Sequence, residues 1–335
     1  MGILKNFPLI NFVPFIRLVA LALAVAGNAV AAGDSGYSVV ARWPIGSNDK
    51  WDYLIVDAPR HHLFLARATR VQVIDLDSGK LVGEIPNTAG AHGIALAHDL
   101  HRGFISNGKA DSVTVFDLDT LATIGEIKIS GSDPDAIIYD EPSHHIYAFN
   151  GHSNSTTVID AAMAREIGTI PLPGSPEFAV SDGAGHVFVN VEDKSLVARI
   201  DVAKGVVQSS WSLGSCIEPT GIALDRARNR LFSVCHNEIM IVSDSESGRR
   251  ITELAIGKHV DAAAFDPILE LVFCSNGDSA DVSVIGAQSG DHYTMRGGLA
   301  TVKGSKTMAL DTATHRIYVP AMSADGLQIL VAAPR

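Results

Sequence analysis

Seven positions, spaced about 42 residues apart along the chain, carry side chains that could do chemistry together. They offer four carboxylates, an imidazole, an ammonium group and a hydroxyl group, and they are Asp52, His92, Asp135, Glu177, Thr220, Asp261 and Lys306. Carboxylates crowded into one place repel one another, which raises some of their pKa values or attracts a cation. This set, termed the mouth residues below, could therefore bind a cationic ligand or a metal ion if the fold brought its members together.

A second set of polar residues follows the second apolar segment of most repeats. It consists of Asn107, Asn150, His152, Asn190, His236 and Asn276, and His259 lies just before the sixth mouth residue. Oxygen ligands suit Ca²⁺ or Mg²⁺, whereas an imidazole combined with a carboxylate suits Zn²⁺ or Cu²⁺. A divalent cation is the one cofactor that the pattern suggests, and its predicted ligands are Glu177, Asp135, Asp261 and Asn190. The alternatives are a rim whose charges face only water, or a site for an organic ligand or a protein partner.

The segments behind these positions form seven similar repeats. Each opens with an apolar run that usually ends in Asp, such as residues 53–57 (YLIVD) and 308–311 (MALD). Three further runs follow, such as 316–319 (RIYV), 73–75 (VID) and 81–86 (LVGEIP), and Gly, Asp, Asn, Ser and Pro separate them. Four short β-rich runs in about 42 residues are typical of one propeller blade.

The sequence therefore predicts an all-β fold, a seven-bladed β-propeller of four-stranded antiparallel blades that occupies residues 37–335. The seventh repeat stops after its third strand, residues 327–331 (LQILV), whereas residues 39–46 (VVARWPIG) read like a fourth strand that precedes the first repeat. A ring must hide its first and last edges. We expect the N-terminal strand to complete the last blade, because an open solenoid, the other architecture typical of this period, would leave residues 39–46 without a role.

These blade segments resemble those of YVTN-type seven-bladed β-propellers, including the YncE-like periplasmic proteins. The resemblance rests on segments such as 316–319 (RIYV) and 73–80 (VIDLDSGK), and it covers nearly all of the chain after about residue 37. The consensus Tyr-Val-Thr-Asn is degraded, and its nearest copies are 104–107 (FISN) and 188–190 (FVN). The resemblance implies a WD40/YVTN-like scaffold and a binding or accessory role, and it names no partner.

Residues 1–32 differ sharply from the rest of the chain. They contain Lys5 and Arg17 but no acidic residue, an apolar core at 18–26 (LVALALAVA) and a tail of small residues at 27–32 (GNAVAA). This pattern is typical of a signal peptide, and its apolar core is shorter than the roughly 20 residues that span a bilayer. We expect cleavage near residue 32 and a periplasmic or secreted mature protein without a membrane span; an uncleaved anchor is the alternative.

The charge balance argues against nucleic-acid binding. The chain has 26 Lys and Arg residues against 37 Asp and Glu residues, for a formal net charge of −11. A nucleic-acid footprint needs a clustered basic face, and the sequence contains no run of Lys and Arg. A positively charged partner or a cation suits this acidic surface better, and we expect the protein to be a monomer.

Three cysteines, Cys216, Cys235 and Cys274, fit no zinc motif. An oxidising compartment would allow one disulfide and one leftover thiol. Cys216 and Cys235 belong to the same repeat and are the candidate pair, whereas three packed thiols are the alternative reading.

The conspicuous histidine pairs at 61–62 and 144–145 occupy the turn between the first and second strands, on the face opposite the mouth residues. We interpret them as turn-closing groups rather than metal ligands.

The leading functional hypothesis is a non-enzymatic, exported binding module for a protein partner or a small ligand at the charged mouth of a central channel. The alternative is a metal-assisted hydrolase or lactonase with a divalent ion in the channel, in which His92 or His236 transfers protons. Lys306 disfavours a nearby cation unless it pairs with Asp261 or Asp52.

Overall fold

The structure, a computed structural model, describes residues 1–3, 33–288 and 290–335. The predicted signal peptide falls, apart from residues 1–3, outside the described residues, so it stays a prediction. Within the described residues, twenty-eight strands form seven four-stranded antiparallel sheets. The prediction of an all-β, seven-bladed propeller is confirmed.

The strands follow one another through the blades in chain order. Strand β1 (Tyr37–Pro44) comes first, and blade 1 consists of β2 (Trp51–Asp57), β3 (His62–Arg67), β4 (Arg70–Asp75) and β5 (Leu81–Pro86). Blade 2 consists of β6 (Ala91–Ala97), β7 (Arg102–Asn107), β8 (Ser112–Asp117) and β9 (Thr123–Lys128). Blade 3 consists of β10 (Pro134–Asp140), β11 (His145–Asn150), β12 (Ser155–Asp160) and β13 (Arg165–Pro171).

The remaining blades repeat this arrangement. Blade 4 consists of β14 (Pro176–Ser181), β15 (His186–Val191), β16 (Leu196–Asp201) and β17 (Val206–Ser212). Blade 5 consists of β18 (Pro219–Asp225), β19 (Arg230–Cys235), β20 (Ile239–Asp244) and β21 (Arg250–Ala255). Blade 6 consists of β22 (Val260–Asp266), β23 (Leu271–Asn276), β24 (Asp281–Gln288) and β25 (His292–Ala300). Blade 7 combines β26 (Ala309–Asp311), β27 (Arg316–Ser323) and β28 (Gly326–Pro334) with β1.

Strand β1 closes the ring as predicted. It pairs antiparallel with β28, from Tyr37 opposite Pro334 to Pro44 opposite Gln328. Tyr37 is only 2% exposed, and its hydroxyl donates a hydrogen bond to the carbonyl oxygen of His315 at 3.0 Å. The first strand of the propeller therefore covers the open edge of the last blade.

The hydrophobic core lies between adjacent blades rather than on the channel axis. One aromatic side chain from the second strand of every blade is buried there: Phe64, Phe104, Tyr147, Phe188, Phe232, Phe273 and Tyr318. The rings of Phe64 in blade 1 and Phe116 in blade 2, for example, pack with their centroids 5.5 Å apart. Because side chains alternate along a strand, these aromatics fix which residues of each blade face a neighbouring blade.

The turns between the first and second strands contain the histidine pairs. The Asp57 side chain accepts a hydrogen bond from the backbone N–H of Arg60 at 3.3 Å, and His61 follows in the left-handed conformation at φ 54°. His98 of blade 2 lies 3.2 Å from Asp57 through its Nε2 atom. These contacts fit the turn-closing interpretation, and they tie adjacent blades together on the face opposite the mouth.

Cys216 and Cys235 form a disulfide, and Cys274 is a buried thiol.

The described helices are 3₁₀ turns of three residues each, Ala58–Arg60, His98–Leu100, Gly108–Ala110, Glu141–Ser143 and Glu192–Lys194. No helix in the described part of the chain has the length and apolar character needed to cross a membrane.

Candidate functional site at the channel mouth

The first strand of each blade lines a central channel, and the mouth residues stand at or just before the start of these strands. A cavity of about 320 Å³ opens there, and its lining comprises Asp52, Tyr53, His92, Asp135, Glu177, Glu192, Thr220, His236, His259, Asp261 and Lys306. The fold thus brings all seven mouth residues together, along with His236 and His259. Tyr53 and Glu192 line the same cavity, and sequence reasoning missed both.

His92 lies between two carboxylates. Its Nδ1 atom is 2.7 Å from Oδ2 of Asp52 and 3.8 Å from Oδ1 of Asp135. The hydrogen bond with Asp52 and the nearby charge of Asp135 outweigh the effect of burial and raise the pKa of His92 to about 9. At neutral pH this side chain is therefore an imidazolium.

Lys306 forms an ion pair with Asp261. Its Nζ atom lies 2.7 Å from Oδ2 of Asp261, whose side chain is 11% exposed. Burial lowers the pKa of Lys306, but the charge of Asp261 and the hydrogen bond to it have the opposite and larger combined effect, so the pKa is raised. The sequence indicates that Lys306 would disfavour a nearby cation unless it paired with Asp261 or Asp52. The pair with Asp261 meets this condition, because it neutralises the charge of Lys306.

Glu177 and Glu192 form no ion pair with any residue that the structure describes. Burial, followed by the charges of Asp135, Glu192 and Asp261, raises the pKa of Glu177 to about 9. Burial and the charge of Asp52 raise the pKa of Asp135 to about 7. At neutral pH Glu177 is therefore largely protonated and Asp135 is about half protonated, and a nearby cation would favour loss of both protons.

A second group of titratable side chains lies on the wall formed by blades 4, 5 and 6. The rings of His236 and His259 stack in parallel with their centroids 5.5 Å apart. His236 Nδ1 is 3.0 Å from Oε2 of Glu218. Glu192, Glu218 and His236 each offer a ligand atom within 4.8 Å of the other two.

Tyr53, which lines this cavity, contacts Phe178, and the two rings are termed the aromatic septum below. The two rings lie 4.9 Å apart between centroids, although β2 and β14 belong to blades 1 and 4, which are not neighbours. The rings therefore meet across the channel. Burial and the carboxylates of the mouth raise the pKa of Tyr53 well above its usual range, so its hydroxyl stays protonated.

The asparagines of the second predicted set do not reach the mouth. Asn107, Asn150, Asn190 and Asn276 are at most 1% exposed. The amide of Asn150 donates to Ser155 and Thr157 on the next strand at 3.1 and 3.0 Å, and Asn107 and Asn276 make equivalent contacts within their own blades. These asparagines therefore do not present their amides to the channel as predicted. Three of them end the second strand and bond within their own sheet, whereas Asn190 is the penultimate residue of β15 and bonds to the next blade.

Two other predicted residues also have contacts that differ from those expected. The His152 side chain is 77% exposed and lies 3.3 Å from Asp133, outside the cavity lining. Thr220 does line the cavity, but it is 2% exposed and its hydroxyl donates to the carbonyl oxygen of Val260 at 3.1 Å. Neither side chain offers a free polar group to a ligand in the channel.

The predicted metal ligands are not assembled as one set. The Asn190 amide donates to the carbonyl oxygens of Thr220 and Gly221 at 2.8 and 3.0 Å, and Asp261 is paired with Lys306. Asp52, His92 and Asp135 instead offer ligand atoms that all lie within 4.8 Å of one another. This set and the set of Glu192, Glu218 and His236 each offer a metal ion two carboxylates and one imidazole.

Comparison with known proteins supports the fold and leaves the family open. No protein-family profile matches the sequence. No curated protein is a detectable relative either.

Several solved structures are similar. A chain of Kuenenia stuttgartiensis hydrazine synthase superimposes with a TM-score of 0.75 and is 15% identical, and the match covers 88% of this chain and 98% of that one. A chain of the mitotic checkpoint complex has a TM-score of 0.76 and 14% identity, and the match covers 96% of this chain and 99% of that one. U3-55K has a TM-score of 0.76 and 10% identity, and the match covers 89% of this chain and 99% of that one. The chain is a seven-bladed β-propeller. At these identities the likeness concerns the fold alone.

Proposed function

We propose that the protein is an exported, periplasmic or secreted binding module whose channel mouth captures a cationic group. That group belongs to a small ligand or to a Lys or Arg side chain of a protein partner. One observation carries the proposal: five carboxylates line a single cavity of about 320 Å³, and Lys306 and the imidazolium of His92 are the cations that face them. The five are Asp52, Asp135, Glu177, Glu192 and Asp261.

The excess of carboxylates explains why a cation would bind. Partial burial and mutual repulsion hold protons on Glu177 and Asp135. An ammonium or guanidinium group would replace those protons, relieve the repulsion and donate charge-assisted hydrogen bonds. The formal net charge of −11 would also steer cationic partners toward the protein at low ionic strength.

Two features support export. Residues 1–32 have the charge and apolar pattern of a signal peptide. The disulfide between Cys216 and Cys235 suits an oxidising compartment, since such bonds are rare where thiols are kept reduced. Mass spectrometry of protein recovered from the periplasm or medium would test this part, because export with cleavage predicts an N-terminus near residue 32.

A peptide titration tests the binding proposal. We expect a terminally blocked tri-arginine peptide to bind at low salt, and the matched tri-citrulline peptide, which is the same size but uncharged, to bind at least tenfold more weakly. The double variant Glu177→Gln/Asp135→Asn should weaken tri-arginine binding at least tenfold. Asp77→Asn is the control, because Asp77 is 74% exposed on the opposite face, so this variant changes the net charge of the protein without altering the mouth.

Equal affinity for the two peptides would refute recognition of a cationic group. Unchanged tri-arginine binding by the double variant would show that the mouth is not the site. A loss of binding in Asp77→Asn as large as that in the double variant would point to the overall field of the protein rather than to the mouth.

The metal-assisted hydrolase or lactonase remains a second candidate because Asp52, His92 and Asp135 form a compact donor set. Two carboxylates and an imidazole suit Zn²⁺, which would supply a Lewis acid and an activated water. We would expect about one Zn²⁺ per chain after dialysis, and a loss of that metal in Asp52→Asn. Absence of retained metal together with no thermal shift in Zn²⁺, Ca²⁺ or Cu²⁺ would exclude this candidate.

A further inference from the structure

A second cavity lies on the other side of the aromatic septum. It measures about 340 Å³ and is lined by the inner strands of blades 1 to 4, with Arg226 of blade 5 at its edge. Its walls are formed mainly by apolar side chains, among them Ile55, Leu96, Ile138, Phe178 and Val180. This apolar chamber therefore differs in chemistry from the charged mouth, although Tyr53 borders both.

Several of these apolar side chains remain partly accessible. Ile55, Ile138 and Val180 are half-buried, whereas the aromatic side chains between blades are at most 1% exposed. Folding thus leaves large apolar groups facing an open space in the channel. Apolar concave surfaces of this kind, with a few placed polar groups and volumes of roughly 300 to 1,000 Å³, are typical of small-molecule sites.

Arg226 supplies the placed polar group. Its Nη2 and Nε atoms donate to the carbonyl oxygens of Ser181 and Asp182 at 2.8 and 3.2 Å, which fixes the guanidinium at the edge of the chamber. It forms no ion pair within the described part of the chain, and its Nη1 atom makes no hydrogen bond there.

Within the described part of the chain, the carboxylates of Asp182 and Asp140 contact other residues and form no ion pair with Arg226. Asp182 contacts His186 Nδ1 at 2.9 Å. Asp140 accepts hydrogen bonds from the backbone N–H and the hydroxyl of Ser143 and from Ser181. Arg226 is therefore free to bind an anion.

We propose that the apolar chamber is a second binding site, for a small amphiphilic carboxylate. The apolar chain of the ligand lies against Ile55, Ile138 and Val180, and its carboxylate forms a bidentate pair with Arg226. The septum keeps this anion away from the carboxylates of the mouth. The site is separate from the cation site proposed above and does not depend on it.

Titration calorimetry with octanoate, octanol and octylammonium tests this assignment, because the three share a chain and differ in the head group. We expect octanoate to bind at least tenfold more tightly than octanol, and octylammonium to bind most weakly. Arg226→Gln should reduce octanoate affinity at least tenfold and leave octanol affinity unchanged. Arg102→Gln is the matched control: Arg102 also donates to two backbone carbonyls, those of Ala161 and Ala162, but it does not line the chamber.

A second variant tests the chamber itself. Val180→Phe should fill it and abolish binding of octanoate and octanol, while thermal unfolding confirms that the variant is folded. Glu177→Gln should leave octanoate binding unchanged, and Arg226→Gln should leave tri-arginine binding unchanged, so the two sites can fail separately. The proposal is overturned if wild-type protein does not bind octanoate, if octanol binds equally well, or if a folded Val180→Phe variant still binds octanoate.

Discussion

At the scale of single residues, the mouth is defined by positions at which the repeats differ. Asp52, His92 and Glu177 occupy equivalent places in their blades, yet their side chains have different chemistry. The repeat could predict that these positions meet, and all seven do line one cavity. It could not predict that His92 pairs with Asp52 or that Lys306 pairs with Asp261, because those contacts depend on side-chain conformations across neighbouring blades.

The septum shows a signal that was present in the sequence. Tyr53 and Phe178 each directly follow a mouth residue. In the other five repeats the same position holds a small residue: Gly93, Ala136, Gly221, Ala262 or Thr307. Aromatic residues in two repeats, at a position where the other repeats have a small residue, indicate a role specific to those two blades. In the structure the two rings contact each other across the channel.

Glu177 makes the stability of the protein depend on pH. Its pKa is raised from an ordinary 4.5 to about 9, so between these values the native state holds a proton that the unfolded state has lost. The free energy of unfolding therefore falls as pH rises through this range. We predict that Glu177→Gln raises the free energy of unfolding at pH 8 by at least about 1 kcal/mol and changes it little at pH 4. Urea denaturation at the two pH values measures the difference; equal effects at both would contradict the assignment.

At the scale of elements, the strands were predictable because apolar alternation and turn residues recur in every repeat. The asparagines were misassigned because the boundary between a strand and its loop is hard to place from sequence. Asn150 is the last residue of β11 and pairs with Ser155 in the sheet. Its side-chain amide donates hydrogen bonds to the neighbouring strand and is not part of the loop that follows. Asn recurs at this point in several repeats, and such recurrence is the mark of a scaffold residue.

This role gives Asn150 a measurable contribution to stability. Asn150→Ala removes two buried hydrogen bonds and leaves Ser155 and Thr157 without that partner. We predict a loss of about 1–3 kcal/mol in the free energy of unfolding. His152→Ala, two residues away and 77% exposed, should change it by less than about 0.5 kcal/mol. Chemical denaturation of both variants decides the point, and similar losses in the two would refute the structural role.

At the scale of the whole molecule, the sequence predicted the ring and the way it closes. Seven repeats with one strand missing at the end and one extra strand at the start required the two to pair, and β1 does pair with β28. The purpose of the channel could not be predicted in the same way. Its two cavities have opposite chemistry because the side chains at the start of the inner strands are polar and those further along are apolar.

Closure by β1 predicts where a mutation will weaken the ring. Tyr37 packs against Phe273 with ring centroids 5.1 Å apart and is buried, whereas Val40 on the same strand is 54% exposed. Tyr37→Ala should lower the free energy of unfolding by about 3 kcal/mol. Val40→Ala should lower it by less than about 0.5 kcal/mol. If guanidinium denaturation shows Tyr37→Ala to be as stable as the wild type, β1 does not hold the ring together.

The most direct measurement of the central claim is proton release on binding a cation at the mouth. Calorimetric titration of the protein with blocked tri-arginine at pH 8, in two buffers that differ in ionisation enthalpy, counts the protons exchanged. Because Glu177 is largely protonated at this pH, binding should release up to about one proton per peptide. Glu177→Gln should remove most of that release. Binding without proton release, or an unchanged release in Glu177→Gln, would contradict the account.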